Sequence, residues 1–138
     1  MSPTNITGRL STGIGQGQHF TRLDWARRQF IDRLGIDPFP GTVNMTLEDS
    51  EALATWSRLK SEPGVRIDNP NEGPFDCDAR CYPVLIAGRI EAAIVLPEID
   101  GYSPAAIEMI AAVGVRAALG IVDGDLLTIE VGRQPPRL

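Results

Sequence analysis

Alternating and continuous runs of apolar residues predict that this chain is built mainly from β-strands. The segment 42–47 alternates polar and apolar positions, as a half-buried strand does. The segments 81–87 and 89–96 are two apolar runs separated by Gly88, which indicates a β-hairpin. A further strand is expected from Leu126 to Val131.

Helical spacing and capping residues predict a smaller number of helices between the strands. The expected spans are 25–34, 50–59 and 104–113, with a short turn or helical piece at 115–119. Asp24 and Ser103 are suited to cap the first and third spans, because their side chains can accept hydrogen bonds from backbone N–H groups. The segment 61–75 is rich in proline and glycine and is expected to be a surface loop, or alternatively a lid over a ligand. Residues 1–138 are expected to form one domain without internal repeats.

Composition and charge exclude several classes of protein. The 14 glycines and 11 prolines argue against a helical bundle, while 43% hydrophobic residues argue against a disordered chain. The formal net charge is −5, and no basic cluster suited to nucleic acid is visible. Cys77 and Cys81 are too few for a structural zinc site, and His19 is not accompanied by a Gly-x-Ser-x-Gly motif. Because no apolar run could span a membrane and no signal peptide is apparent, a cytoplasmic protein without a disulfide is expected.

Three groups of residues could carry chemistry, although each also has an ordinary structural explanation. The glycines of segment 13–17 would let backbone N–H groups approach an anion, or they form a plain turn. Thr42 and Asn44 lie two positions apart on a predicted strand, so their side chains share a face. Their oxygens are hard, neutral ligands suited to Mg²⁺, or simply polar groups facing solvent. Asp100 and Glu108 could bind a polyol or act as a general base, or be solvated surface carboxylates.

Taken in order, these segments resemble the archaeal-type CTP-dependent riboflavin kinases. The most specific part is the element Pro40-Gly41-Thr42-x-Asn44, preceded by Leu34-Gly35-x-x-Pro38. The resemblance extends from Gly8 to Val131 and rests on Thr12–Gly17, Leu34–Asn44, Pro97-Glu98, Ile107–Ala111, Leu119 and Asp123–Asp125. It implies a mainly β fold with short helices, namely a six-stranded cradle-loop β-barrel.

The resemblance also implies an activity and a set of site residues. The implied reaction transfers the γ-phosphoryl group of CTP to the 5′-hydroxyl of riboflavin, giving FMN and CDP, with Mg²⁺ as the cofactor. Thr42 and Asn44 match the metal ligands of the family, and Asp100 and Glu108 fall where the family contacts the flavin, with a catalytic role. The implied nucleotide-binding residues are Gly13, Ile14, Gly15, Gln16, Gly17, Gln18, Val113, Gly114, Val115 and Arg116.

Departures from the family pattern leave two alternatives open. Asp100 stands where the family usually has threonine, Gln16 where it has glutamate, and Ala112 where it has proline. A carboxylate at position 100 would repel the product phosphate, or else serve as a base. The protein could therefore be a related kinase acting on a different small alcohol or polyol, or a non-catalytic ligand-binding barrel.

Overall fold

Six antiparallel strands form a closed β-barrel, and a seventh, shorter strand pairs with the barrel from outside. A computed structural model describes residues 4–12, 21, 23–70, 78–99 and 101–131. The strands are β1 (Thr4–Ser11), β2 (Val43–Thr46), β3 (Val65–Ile67), β4 (Ala79–Ile86), β5 (Ile90–Pro97), β6 (Ala106–Ala111) and β7 (Leu126–Val131). Their order in the sheet is β3-β4-β5-β6-β2-β1-β7, and an additional pairing of β4 with β7 closes the ring. The predicted six-stranded barrel is confirmed.

Apolar side chains that alternate along each strand fill the interior of the barrel. Val43 and Met45 of β2, together with Ile107 and Met109 of β6, belong to this main core. Other fully buried members are Ile6, Leu10, Ile86, Ile94 and Ile129. Because successive side chains of a strand point to opposite faces, the residues between these positions on β2 and β6 point to the outer face of the barrel.

A second core lies between the outer face of the sheet and the first helix. Helix α1 (Asp24–Gln29) continues into a π-helical turn over Phe30–Leu34, and the predicted helix at 25–34 is thus confirmed as helical. Phe30 is completely buried and packs in one cluster with Cys81 and Val95. Since this packing covers the outer face of β5, that strand is buried on both faces, which explains its continuous apolar sequence.

Two further helices pack against the barrel where the sequence predicts them. Helix α2 (Ser50–Leu59) begins after Asp49, whose side chain accepts a hydrogen bond from the backbone N–H of Glu51. Its Trp56 is buried and meets Tyr82 edge-on, with ring centroids 5.8 Å apart. Helix α3 (Val115–Leu119) follows β6. Within the described ranges, no helix combines the length and the apolar character needed to cross a membrane.

The helix predicted at 104–113 is wrong, because residues 106–111 form strand β6. The Ser103 hydroxyl does accept a hydrogen bond from a backbone N–H, that of Ala105. The bond stabilises a turn before β6 rather than the start of a helix. From Ile107 to Ala111 the strand is buried on both faces, so its apolar positions show no alternation. A short apolar run of this kind cannot be distinguished from a buried helix by periodicity alone.

The loop predicted at 61–75 is partly wrong as well. Residues 65–67 form strand β3, which pairs antiparallel with β4 so that Val65 lies opposite Cys81. Gly64 precedes the strand with a φ of +60°, a conformation that favours glycine. Residues 71–75 lie outside the described residues, and the alternative of a lid stays a prediction.

Candidate active site

The pairing of β2 with β6 brings two of the predicted site residues together. Asn44 lies directly opposite Glu108 in the antiparallel register, and directly opposed side chains have Cβ atoms about 5 Å apart. Both belong to the outer face of the barrel, and both are buried: Asn44 is 8% exposed and Glu108 is 1% exposed. A polar amide and a carboxylate are thus held side by side in a largely water-free place.

Thr42 and Asn44 form a compact pair of neutral oxygen donors, as their spacing predicts. The Thr42 Oγ1 and Asn44 Oδ1 atoms are 3.3 Å apart, and the Asn44 amide also donates to the Thr42 carbonyl oxygen at 3.2 Å. Adjacent ligands of Mg²⁺ are about 3 Å apart when each bond is about 2.1 Å long, so the pair fits such an ion. In the described part of the chain, no three His, Cys, Asp or Glu side chains gather as a metal site.

Two hydrogen bonds anchor the backbone before Thr42 and set the direction of the pair. The N–H of Phe39 donates to the carbonyl oxygen of Ala111 at 2.7 Å, which ties the segment to the end of β6. Gly41 has a φ of +95°, which a residue with a side chain rarely adopts, and its N–H donates to the Thr21 hydroxyl. Pro40 and Gly41 thus bend the chain into β2 and direct Thr42 toward the same face as Asn44.

Tyr102 lies beside Glu108, and the sequence does not single it out. Burial, together with the neighbouring Glu108 carboxylate, raises the pKa of its hydroxyl above the ordinary value of tyrosine. The tyrosine therefore stays neutral and remains a hydrogen-bond donor beside Glu108. The clue in the sequence is its place in the same short segment as Asp100, but nothing in that segment predicts contact with residue 108.

A cavity at one end of the barrel brings together two groups of predicted residues. This cavity, called the Phe39 cavity below, has a volume of about 250 Å³. It is lined by Phe39, Pro40, Gly41, Thr42, Val43, Met109, Ala111, Val113, Gly114, Val115, Arg116 and Ala117. All four predicted nucleotide-binding residues of segment 113–116 therefore line the same space as Thr42.

Arg116 contributes to this cavity while holding three segments together. Its guanidinium forms an ion pair with Asp123 at 2.6 Å and donates to the Ser11 carbonyl oxygen at 3.2 Å. Asp123 also accepts a hydrogen bond from the Thr12 hydroxyl, and these two donors lower the pKa of its carboxyl group. Arg116 thus fixes the end of β1, which lies beside Asn44 in the register Ser11↔Asn44.

A second, more polar cavity lies where β5 ends and β4 begins. It has a volume of about 390 Å³ and is lined by Lys60, Arg80, Leu96, Pro97, Glu98, Ile99 and Tyr102. The Arg80 guanidinium pairs with Glu98 at 3.0 Å and donates to the carbonyl oxygens of Lys60 and Glu62. Tyr102 is common to this cavity and to the surroundings of Glu108.

The remaining predicted site residues lie outside the described residues. They are Asp100 and the six predicted nucleotide-binding residues Gly13, Ile14, Gly15, Gln16, Gly17 and Gln18. The roles assigned to them stay predictions from the sequence.

A closed barrel with buried polar oxygens beside a cavity of about 250 Å³ has the geometry of a small-molecule site. A protein-family model for the CTP-dependent riboflavin kinase domain, described as "Domain of unknown function DUF120", matches residues 10–131. The chain belongs to this family.

Curated relatives support the same family. The riboflavin kinases of Methanosarcina acetivorans and Methanosarcina mazei are each 40% identical to this chain over 94% of its length, covering 54% and 57% of those proteins. The riboflavin kinase of Ignicoccus hospitalis is 31% identical over 94% of the chain and 72% of the relative. The chain thus spans little more than half the length of the two Methanosarcina proteins.

Proposed function

We propose that this protein is a CTP-dependent riboflavin kinase, which transfers the γ-phosphoryl group of CTP to the 5′-hydroxyl of riboflavin. The observation that carries the proposal is the register of β2 and β6, which sets the oxygen pair of Thr42 and Asn44 beside the buried Glu108. In the reaction, the 5′-oxygen bonds to the γ-phosphorus, the bridging bond to the β-phosphate breaks, and the hydroxyl loses its proton. Membership of the family and the names of the relatives agree with this chemistry.

The Phe39 cavity is the proposed place of CTP. It is lined by segment 113–116 and by Thr42, so a nucleotide held there would have its phosphates near the oxygen pair. Glycine-rich segment 13–17, whose role is a prediction from the sequence, would supply backbone N–H groups to the phosphates. Phosphoryl transfer asks the protein mainly for positioning and charge stabilisation, so no covalent intermediate on the enzyme is required.

Thr42 and Asn44 are the proposed ligands of Mg²⁺. A bound Mg²⁺ would neutralise negative charge on the phosphates of CTP during transfer. Neutral protein ligands leave the full charge of the ion available to the phosphates. The buried side chain of Asn44 is held by its bonds to Thr42, so the two oxygens are oriented before any ligand arrives.

Glu108 is proposed to orient the acceptor. Its carboxylate can accept a hydrogen bond from the 5′-hydroxyl and hold that oxygen toward the γ-phosphorus, with proton acceptance as a further role. Tyr102, kept neutral beside it, donates rather than competes for the proton. Asp100 is proposed to contact the ribityl chain from the same segment as Tyr102.

The proposal is tested by a screen of nucleotides against acceptors. Purified protein is incubated with Mg²⁺, riboflavin and CTP, ATP, GTP or UTP in turn, and FMN is measured by chromatography. We expect FMN with CTP. FMN with ATP but not CTP would contradict the proposed donor, and no FMN with any nucleotide would contradict the flavin acceptor. CTP turnover that depends on another alcohol would favour the related kinase suggested by Asp100.

The metal assignment is tested by removing each oxygen donor separately. We expect Thr42→Ala and Asn44→Ala to reduce kcat on the order of 10²-fold or more, because the phosphates lose charge stabilisation. Thr42→Ser keeps the hydroxyl and is the matched control. Circular dichroism checks that each variant is folded, and a titration of Mg²⁺ checks that the half-maximal concentration rises. Wild-type turnover and Mg²⁺ dependence in both alanine variants would refute the assignment.

A further inference from the structure

Phe39 presents an aromatic ring to solvent at the rim of its cavity. The side chain is 52% exposed, whereas Phe30 and Trp56 are at most 1% exposed. A half-exposed phenyl ring gains less from the hydrophobic effect than a buried one, and a ligand that covered it would bury the apolar area that folding leaves accessible. Val113, 46% exposed, lines the same cavity and adds an apolar surface beside it.

Among the described residues, the segment 111–114 holds the ring in place from one side. The Phe39 N–H is anchored to Ala111 at 2.7 Å, so the backbone under the ring is fixed by the barrel. The tip of the ring rests against Gly114: a Cβ at that position would lie 3.3 Å from Cζ, 3.4 Å from Cε1 and 3.7 Å from Cε2. Glycine at 114 thus lets the ring approach the backbone closely, while about half of the side chain stays accessible.

We propose that Phe39 is the platform on which the base of the bound nucleotide stacks. This inference rests on the proposed function, since it assumes that the cavity accepts CTP. Phe39 and Thr42 are three residues apart and line the same cavity, so a nucleotide with its phosphates at Thr42 can reach the ring with its base. An aromatic face is a general surface for nucleobases, because every base has a π-face.

The platform supplies affinity rather than base selection. Stacking on a phenyl ring is tolerant of base identity, so the choice of cytosine must come from hydrogen bonds elsewhere in the site. Loss of the ring is therefore expected to weaken the binding of cytidine and uridine nucleotides to a similar degree. It is expected to leave the binding of the phosphate groups themselves unchanged.

Calorimetric titrations of variants at position 39 test the inference. Wild type, Phe39→Ala, Phe39→Leu and Phe39→Trp are titrated with CDP, UDP and inorganic pyrophosphate in the presence of Mg²⁺. We expect Phe39→Ala and Phe39→Leu to weaken the binding of CDP about 5- to 150-fold, since base–aromatic stacking has that magnitude. Phe39→Trp should keep or improve the affinity, and pyrophosphate should bind all four proteins alike. Leu126→Ala, at another exposed apolar residue, is the control for loss of a surface side chain.

The outcomes separate this inference from the proposed function. If the wild type binds CDP tightly and both Phe39→Ala and Phe39→Leu bind it equally well, the platform is refuted while the kinase proposal stands. An equal weakening of CDP and pyrophosphate would also refute it, because the effect would not involve the base. If the wild type binds no nucleotide, the proposed function fails, and the inference fails with it.

Discussion

The carboxyl group of Glu108 is 1% exposed, and at the scale of single residues this burial has a large energetic consequence. Moving an ionised carboxylate out of water costs several kcal/mol unless polar partners compensate for the lost hydration. Asn44, opposite in the register, and Tyr102 are polar neighbours of this kind. Buried titratable groups cluster at functional sites, which supports a role for Glu108 in the reaction.

Replacing Glu108 by glutamine tests the role of its carboxylate in the reaction. Glu108→Gln preserves the shape of the side chain and removes its charge and its ability to accept a proton. We expect kcat for FMN formation to fall on the order of 10²-fold or more, while the affinity for CDP stays unchanged. Steady-state kinetics and calorimetry measure the two quantities.

A matched control for this variant lies on the neighbouring strand. Glu91 is exposed on β5, and Glu91→Gln should leave kcat and the thermal midpoint unchanged. Wild-type turnover by Glu108→Gln would contradict the orienting role of the carboxylate. A loss of the folded state, seen by circular dichroism, would instead assign Glu108 a structural role.

At the scale of elements, β6 explains why the sequence predicts the Thr42 and Asn44 pair but not its proximity to Glu108. Thr42 and Asn44 could be placed on one face because an i, i+2 spacing on a strand determines that face by itself. The partner Glu108 could not be placed, since residues 107–111 are buried on both faces and their pattern predicts a helix. Even with β6 assigned, the opposition of Asn44 and Glu108 depends on a pairing between strands 64 positions apart in the sequence.

The junction into β3 gives a prediction at the same scale. Gly64 and Gly88 both have positive φ, at +60° and +68°. A Cβ at Gly64 would lie 2.7 Å from the carbonyl oxygen of Cys81, whereas the described surroundings of Gly88 leave open space within 4 Å. Both alanine variants therefore suffer backbone strain of about 1 kcal/mol, but only Gly64→Ala also collides with the backbone of β4.

Urea denaturation of the two variants measures this difference. We expect Gly64→Ala to lower the free energy of unfolding by at least about 1 kcal/mol more than Gly88→Ala does. Equal losses would mean that β3 moves away from β4 at little cost. In that case the pairing of Val65 with Cys81 adds little to the stability of the barrel.

At the scale of the whole molecule, the free energy of unfolding is expected to fall at alkaline pH because the thiol of Cys81 is buried. Burial raises the pKa of Cys81 from 9.0 to about 12. The unfolded chain releases this proton more readily, so the stabilisation is complete below about pH 9 and is lost as pH rises toward 12. By pH 10 the loss amounts to about 1 kcal/mol.

A pair of variants isolates the contribution of Cys81. Cys77→Ser removes the other cysteine, and Cys77→Ser/Cys81→Ala removes both. We expect the free energy of unfolding to fall between pH 8 and pH 10 by about 1 kcal/mol more in the single variant than in the double variant. Equal pH dependence in the two proteins would show that the thiol is accessible to water in the folded state.

The closed barrel itself illustrates what local patterns leave undetermined. The hairpin of β4 and β5 and the strand at 126–131 follow from periodicity and turn residues. The pairings of β2 with β6 and of β4 with β7 join strands that are far apart in the sequence. The alternation of residues within a strand does not determine which strand lies beside it. The barrel was expected only because several short motifs in order resemble a known family.

The pairing of β1 with β7 places the first and last described strands side by side, which suits the barrel to circular permutation. Thr4 lies opposite Val131 in the register, so the two ends of the described ring are neighbours in one ladder. A short linker could join them, and the chain could be opened in the exposed turn 87–89. Such a circular permutant would begin with β5 and end with β4, and β2 and β6 would still meet at the same residues.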